Sequence, residues 1–274
     1  MIKMTSKLYI IATPLGNLGD ITLRAIELFK TLDTFFAEDS REFQKLLMAL
    51  QISTEGKKIF SYASHNLKEA TELALQILHE GRSLGLVTDR GTPAISDPGA
   101  RLVKRAHEEK IIVLPIPGAS SVTTLMSISG LESTEFEFCG FLPSQDKQRV
   151  ELWERIAKRN IPTLFFESPK RIQVTVAELQ REFPNGELFI GREMTKKFEE
   201  YYWVNLKQVN PSALSEMGEY ALILVPGNIK VASDLEKEVS LRLASDKDWA
   251  KEMAKRYGVA SSDIYNALQR VKKK

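Results

Sequence analysis

The chain has 274 residues, 43% hydrophobic and 27% charged, the balance of an ordinary globular protein too long for one core, so two domains and a tail are expected. A net charge of +2 does not announce a polyanionic partner, and a single cysteine excludes an internal disulfide. No apolar run reaches the roughly 18 residues of a membrane-spanning helix, and "MIKMTSKLYIIATP" lacks a signal-peptide core, so no membrane association and a cytoplasmic location are expected.

"LYIIA" (8–12) is a continuous apolar run ending at Thr13-Pro14, the pattern of a strand buried on both faces. Gly16 and Gly19 mark a turn, and Thr22 is placed to cap a helix carrying Leu23, Ile26 and Phe29 on one side. "TFFAED" (34–39) reads as a strand, followed by a helix on Phe43, Leu46, Leu47 and Leu50. A weak strand over 58–62 precedes a long helix over 67–80, closed by Gly81. A strand at 84–88, a helix near 100–109 and the strand "IIVLPIP" (111–117) complete an alternation that predicts a parallel α/β sheet.

Composition shifts near residue 118, where "PGASSVTTLMSISG" is rich in Ser and Thr and helical in its later part. A second α/β unit is expected, with strands near 136–141, 163–167, 188–192 and 221–225 and helices over 148–158 and 172–183. "VPGNIK" (225–230) reads as a linker to a charged, helical tail, so the expected domains are 1–117, 118–228 and 229–274. In the tail Trp249, Met253 and Tyr257 share a helical face and Gly258 marks a break. Ser261 or Ser262 can cap a second helix holding Ile264, Ala267 and Leu268, and the chain ends in Lys272-Lys273-Lys274. A basic helix-turn-helix for nucleic acid and a two-helix packing or oligomerisation cap both fit.

Open parallel sheets bind ligands beyond the C-terminal ends of their strands. The loops there are 13–20, 37–42, 62–66, 88–99 and 116–121, all polar and most punctuated by Gly or Pro. The first has Gly16 and Gly19 but no third glycine, so it is not a dinucleotide fingerprint, and no Walker loop occurs. His65, His79 and His107 are scattered, without metal-ligand spacing, so no metal is expected. Cys139 lies in the alternating "EFEFCGF" and reads as a small core residue rather than a nucleophile. Asp97-Pro98-Gly99 reads either as part of a binding loop or as the start of the next helix.

"ATPLGNLGDITLRA", "AEDSR", "TDRGTPAISDPG", "PIPGAS", "GFLP", "FFESPKR" and "REMTK" occur in that order. Together they resemble the tetrapyrrole-methylase-like superfamily and, within it, the ribosomal RNA small subunit methyltransferase I family, over roughly residues 7–226. The resemblance implies two α/β domains of the tetrapyrrole methylase type with S-adenosylmethionine in the cleft between them, and a helix-turn-helix-like C-terminal module. It implies 2′-O-methylation of a cytidine in the decoding region of 16S rRNA within the small ribosomal subunit, by a homodimer. A tetrapyrrole or corrin methyltransferase and a non-catalytic ribosome-assembly factor that binds RNA are the alternatives. Three departures stand out: Arg90 where the family generally has alanine, Ser40 for threonine, and "SYASHN" (61–66) with Ala63 and Ser64 for a His-Glu pair. His65 is retained, as a polar residue or a base.

A sulfonium donor needs an apolar slot, partners for its carboxylate and ammonium, and a floor that tolerates positive charge. Main chain at Gly91-Thr92-Pro93 and Gly118-Ala119-Ser120, where glycine permits close approach, and the carboxylate of Asp89 suit it. The expected cofactor-binding set is Pro14, Asp89, Gly91, Thr92, Pro93, Ile95, Gly118, Ser120, Ser121, Phe166 and Ala221. A ribose hydroxyl must lose its proton, so a base or a cation facing the developing alkoxide helps. The candidate catalytic residues are Glu38, Asp39 and Arg41 in one loop and Glu167, Lys170 and Arg171 in another, the second loop reading alternatively as a helix N-terminus with a surface salt bridge. Lys170, Arg171, Arg192 and Lys196 are candidate phosphate contacts, Arg192 and Lys196 being equally suited to decorate a solvated strand end.

Overall fold

The computed structural model describes residues 6–227, 246–257 and 260–272. Five strands, β1 (Lys7–Ile11), β2 (Thr34–Ala37), β3 (Lys58–Ser61), β4 (Leu84–Val87) and β5 (Ile112–Ile116), form a first sheet in the order β3-β2-β4-β1-β5. All of its pairings are parallel, and β2 and β4 are buried at every position, as their unbroken apolar runs require. Helices α1 (Leu23–Thr31) and α2 (Ser40–Ala49) cover one face, and α3 (Leu67–His79) and α4 (Ala100–Glu108) the other.

On the α1–α2 face Phe29, Phe35 and Phe43 interlock with centroids 5.0 to 5.9 Å apart, an edge-favouring geometry that adds specificity to apolar burial. The Thr22 side chain accepts a hydrogen bond from the Ala25 amide and so caps α1. Ala25 and Phe29, one turn apart, define its buried face, which leaves Leu23 on the far side, 85% exposed, and not on the core side as the sequence suggests.

The arrangement positions a crevice. β4 lies between β1 and β2, whose following helices α1 and α2 pack on one face, whereas the helix after β4 packs on the other. Loops leaving adjacent strands therefore diverge at the C-terminal end of β4 and open a gap there.

The second sheet is mixed, unlike the parallel first one. Its strands are β6 (Glu137–Phe141), β7 (Thr163–Glu167), β8 (Glu187–Arg192), β9 (Glu200–Asn205) and β10 (Tyr220–Val225), in the order β6-β7-β10-β8-β9. Only β6 and β7 are parallel; the other pairings are antiparallel. No α-helix separates β8 from β9 or β9 from β10, and short connections favour antiparallel neighbours. The edge strand β9 has no counterpart in the sequence reading.

Helices α5 (Ser121–Ser129), α6 (Asp146–Arg159) and α7 (Ile172–Glu182) complete this half. α6 and α7 share a core with Phe165, Leu188 and Leu222 on one face of the sheet. α5 packs on the other through Leu125, in a cluster that also takes Leu15 from the loop after β1. That cluster joins the two halves.

Two further helices, α8 (Asp246–Tyr257) and α9 (Ser261–Lys272), pack against each other. Ala250 and Met253 are buried, Trp249, Ile264 and Leu268 are partly buried, and Gln269 Nε2 donates to Asp246 Oδ2 at 2.8 Å. Ser261 and Ser262 are exposed and already inside the first turn of α9, not ahead of it as a cap. The linker beyond 227, the Gly258 break, the side chains of Tyr257 and Ala267, and Lys273-Lys274 lie outside the described residues.

Candidate functional site

The loop after β4 is tied to its neighbours through main chain. Thr13 N donates to Gly91 O at 2.9 Å and Gly91 N returns a bond to Thr13 O at 3.1 Å, a one-residue antiparallel bridge across parallel strands. Thr13 Oγ1 donates to Thr88 O (3.1 Å) and Thr92 Oγ1 to Ala119 O (3.0 Å), linking three loops. Gly91 adopts φ +80, and an added Cβ would lie 3.1 Å from Leu15 Cδ2, so both conformation and space call for glycine.

Around this bridge, at the gap beside β4, is a cleft of about 660 Å³, within the usual range for small-molecule sites. Its floor is acidic. Glu38 Oε2 accepts from Thr88 Oγ1 at 2.6 Å and from Asp89 N at 3.3 Å, and Asp89 Oδ1 accepts from Asp39 N at 3.0 Å. Asp97 faces the same space. None of Glu38, Asp89 and Asp97 has a cationic side-chain partner among the described residues. Burial, reinforced by the charge of Glu38, raises the Asp97 carboxyl to about 6, and burial also pushes Asp89 upward. Such a floor favours a cation. The helix after this loop begins at Ala100 with Gly99 as its cap, so Asp97 faces the cleft and is not the capping residue.

The opposite wall comes from the second sheet: Phe141, Phe166, Ser168 and Ala221, with Met194 beside Leu15. Phe141 and Ile95, both on the cleft, present 61% and 58% of their surface to solvent, apolar area that a ligand seated there would cover. Ser120, the N-cap of α5, makes no side-chain capping bond, so first-turn amides of that helix are available at the cleft edge. Volume, exposed apolar surface, carboxylates and open main-chain donors together fit S-adenosylmethionine.

Glu167 also borders the cleft, but its carboxylate is fully engaged below it. Oε1 takes Arg171 Nη2 at 2.6 Å and Ser168 N at 2.6 Å; Oε2 takes Thr175 Oγ1 at 2.6 Å and Arg149 Nη1 at 3.5 Å. Arg149, with a side chain only 7% exposed, reaches on to Glu178 (2.6 Å) and Pro143 O (3.1 Å), and Arg171 binds Leu142 O and Pro143 O. This buried network fastens the "GFLP" turn to the end of β7.

Of the expected cofactor set, Asp89, Gly91, Thr92, Ile95, Ser120, Ser121, Phe166 and Ala221 line the cleft. Pro14 and Pro93 are buried behind the bridge, and Gly118 packs on Ala12. Among the catalytic candidates only Glu38 and Glu167 line it.

Asp39 caps α2 and pairs with Arg41 at 2.9 Å; that bond holds its carboxyl down at about 2, which unsuits it as a base, and the Arg41 side chain is 83% exposed. Glu167 and Arg171 are engaged with each other, which unsuits both for proton transfer or a phosphate. Arg192 is likewise committed, to Glu200, Met217 O and Ser215. Lys170 is exposed and makes no ion pair among the described residues. Lys196 pairs with Glu193 and Glu219.

His65 is exposed in the turn before α3, away from the cleft. Cys139 is half-buried against the second core, and burial raises its thiol, as an unreactive core position should. Sequence reasoning missed Leu15, Glu42, Ser96, Phe141, Met194, Glu219 and Tyr220 on the cleft. Phe141 and Met194 lie inside the quoted motifs "GFLP" and "REMTK", as Leu15 and Ser96 lie inside "ATPLGNLGDITLRA" and "TDRGTPAISDPG", the one signal that marked them.

Residues 7–210 match the family described as Tetrapyrrole (Corrin/Porphyrin) Methylases. A ribosomal RNA small subunit methyltransferase I of Halalkalibacterium halodurans is 38% identical over 273 residues, covering 94% of this chain and 93% of that one. Namesakes from Haemophilus influenzae and Bacillus subtilis are 38% and 34% identical, covering 88% and 84% of this chain and 84% and 78% of their own length. Among solved structures, a cobalt precorrin-4 methyltransferase of cobalamin biosynthesis superposes with a TM-score of 0.59 at 19% identity, covering 82% of this chain and 96% of that one. A diphthine synthase gives 0.61 at 16%, covering 80% and 90%. These structures share the fold; the sequence relatives place the chain more narrowly. The chain belongs to the ribosomal RNA small subunit methyltransferase I family of the tetrapyrrole methylases, and it is a methyltransferase.

Proposed function

We propose that this protein uses S-adenosylmethionine to methylate the ribose 2′-oxygen of a cytidine in the decoding region of 16S rRNA, acting on the small ribosomal subunit. The observation that carries the reading is 38% identity, across 94% of the chain, to a ribosomal RNA small subunit methyltransferase I. Bound in the cleft, the cofactor supplies an electrophilic methyl group. Carboxylates of Asp89 and Asp97 balance its positive charge, and main chain at Gly91, Ser120 and Ser121 orients it. Much of the barrier to such a displacement falls through positioning. The 2′-hydroxyl proton goes to Glu38 or Asp97, the cleft carboxylates with room to accept one.

The domains divide at 117/118 and 228/229 in this reading, and the protein acts as a homodimer in the cytoplasm, where subunits are assembled and Cys139 stays reduced. Phosphate recognition falls to exposed cations such as Lys170 and to the basic tail, with RNA read by shape.

The test is transfer of tritiated methyl to small subunits from cells lacking the enzyme, followed by digestion to nucleosides. Label in 2′-O-methylcytidine is expected. Label in a corrinoid or porphyrin, or RNA binding without transfer, overturns the reading in favour of a tetrapyrrole methylase or an assembly factor.

A further inference from the structure

We propose that Arg90 and Lys196 form a subsite for one phosphodiester of the substrate RNA, and that the Glu219 carboxylate fills it in the free protein. This rests on the RNA reading above. Arg90 lies in the loop after β4 and Lys196 in the loop after β8, so the two cations come from different sheets. They converge on one carboxylate: Arg90 Nη1 pairs with Glu219 Oε1, and Lys196 Nζ lies 3.1 Å from Oε2. One cation per oxygen is the pattern two non-bridging phosphate oxygens present.

Lys196 is set in place beforehand. Its stem lies over Gly16, where a Cβ would collide with it, and its ammonium is also held by Glu193 Oε1 at 2.8 Å. Apart from the two cations, the bonds that hold Glu219 among the described residues are to its backbone, Glu193 N to Glu219 O and Glu219 N to Glu193 Oε1, both 2.9 Å. The Glu219 side chain is 58% exposed and that of Arg90 46%. The Arg90–Glu219 pair is exposed on both sides and contributes little, and the half-buried Lys196 ammonium keeps Glu193 when Glu219 leaves, so a phosphate displaces the carboxylate at modest cost and gains counterion release.

The subsite also resolves a conflict of charge. Glu38, Glu42, Asp89 and Asp97 make the cleft repellent to a polyanion, while Arg90 and Glu219 both border it. Covering Arg90 and Lys196 with Glu219 keeps the free cleft from trapping unrelated anions; exchanging Glu219 for phosphate draws the RNA to the cleft edge.

The test measures binding of unmodified small subunits between 50 and 200 mM salt, with thermal unfolding of each variant as a check of folding. Arg90→Ala and Lys196→Gln are each expected to weaken binding about three- to tenfold and to lower the salt slope by roughly 0.7 to 0.9. Glu219→Gln should tighten binding by a similar factor. Shifts of the same sign in Arg90→Ala and Glu219→Gln would mean an ion pair that merely joins the halves, and unchanged binding in all three would mean no subsite; either result overturns the inference. Wild-type protein that neither binds nor methylates small subunits defeats the functional reading itself, a result separable from both.

Discussion

Two carboxylate groups face each other across the cleft and do opposite work. On the first sheet Glu38, Asp89 and Asp97 are held by hydroxyls and amides, without a cation among the described residues. On the second, Glu167 is enclosed by two arginines, a threonine and an amide. The first set is left open toward the cleft; the second is committed to holding a wall. A carboxylate at a strand end thus takes its role from its partners rather than from its motif.

The largest effect that sharpens this contrast is on stability. Arg149→Ala strips Glu167 and Glu178 of a buried partner and should destabilise the fold by about 3–5 kcal/mol in chemical denaturation. A much smaller loss would make the second wall no more rigid than the first. Next comes Gly91→Ala, which forces a side chain into left-handed backbone against Leu15. It should cost about 1–2 kcal/mol and weaken cofactor binding at least about tenfold; calorimetry showing unchanged affinity would detach the bridge from the site.

Asp97→Asn tests the acidic floor through pH. A cationic ligand favours the ionised carboxylate, so binding releases a proton below the free-protein value of about 6. Wild-type affinity should be level at pH 7–8 and fall by up to about tenfold per unit below pH 6, whereas the Asn variant stays flatter, with Asp89 supplying what dependence remains. Stability moves the other way. Because the folded carboxyl is raised above its unfolded value, it favours folding when protonated, and Asp97→Asn should gain stability above pH 6 but not below pH 4. A wild-type affinity profile matching that of the variant would remove Asp97 from the floor. The smallest effect is Lys170→Ala, expected to weaken small-subunit binding only a few-fold, with a slightly lower salt slope and no change in cofactor affinity.

Much of the first half is legible in the chain because its strands are continuous apolar runs and its helices carry caps and glycine stops, signals that are local. The direction of the second-sheet strands is not: "YALILV" reads the same either way, being buried on both faces, and only the missing helices between 192 and 220 betray the antiparallel order. β9 escaped because "TKKFE" precedes it and, as an edge strand, it is only partly buried, with Tyr202 and Val204 on the core and Trp203 turned to Phe189. In the site, the loops with Gly and Pro are ones that line the cleft, since special backbone positions are visible residue by residue. Inside "FFESPKR" Glu167 and Arg171 pair with each other at 2.6 Å, while the second arginine on Glu167 is Arg149, 18 residues earlier on α6 and marked by nothing in the motif.

Hydrogen exchange with and without S-adenosylmethionine tests most directly whether the donor lies between the two sheets. Simultaneous protection is expected over 88–97, 118–122 and 166–169, from both walls at once. Protection confined to one half, or none at saturating donor, would contradict it.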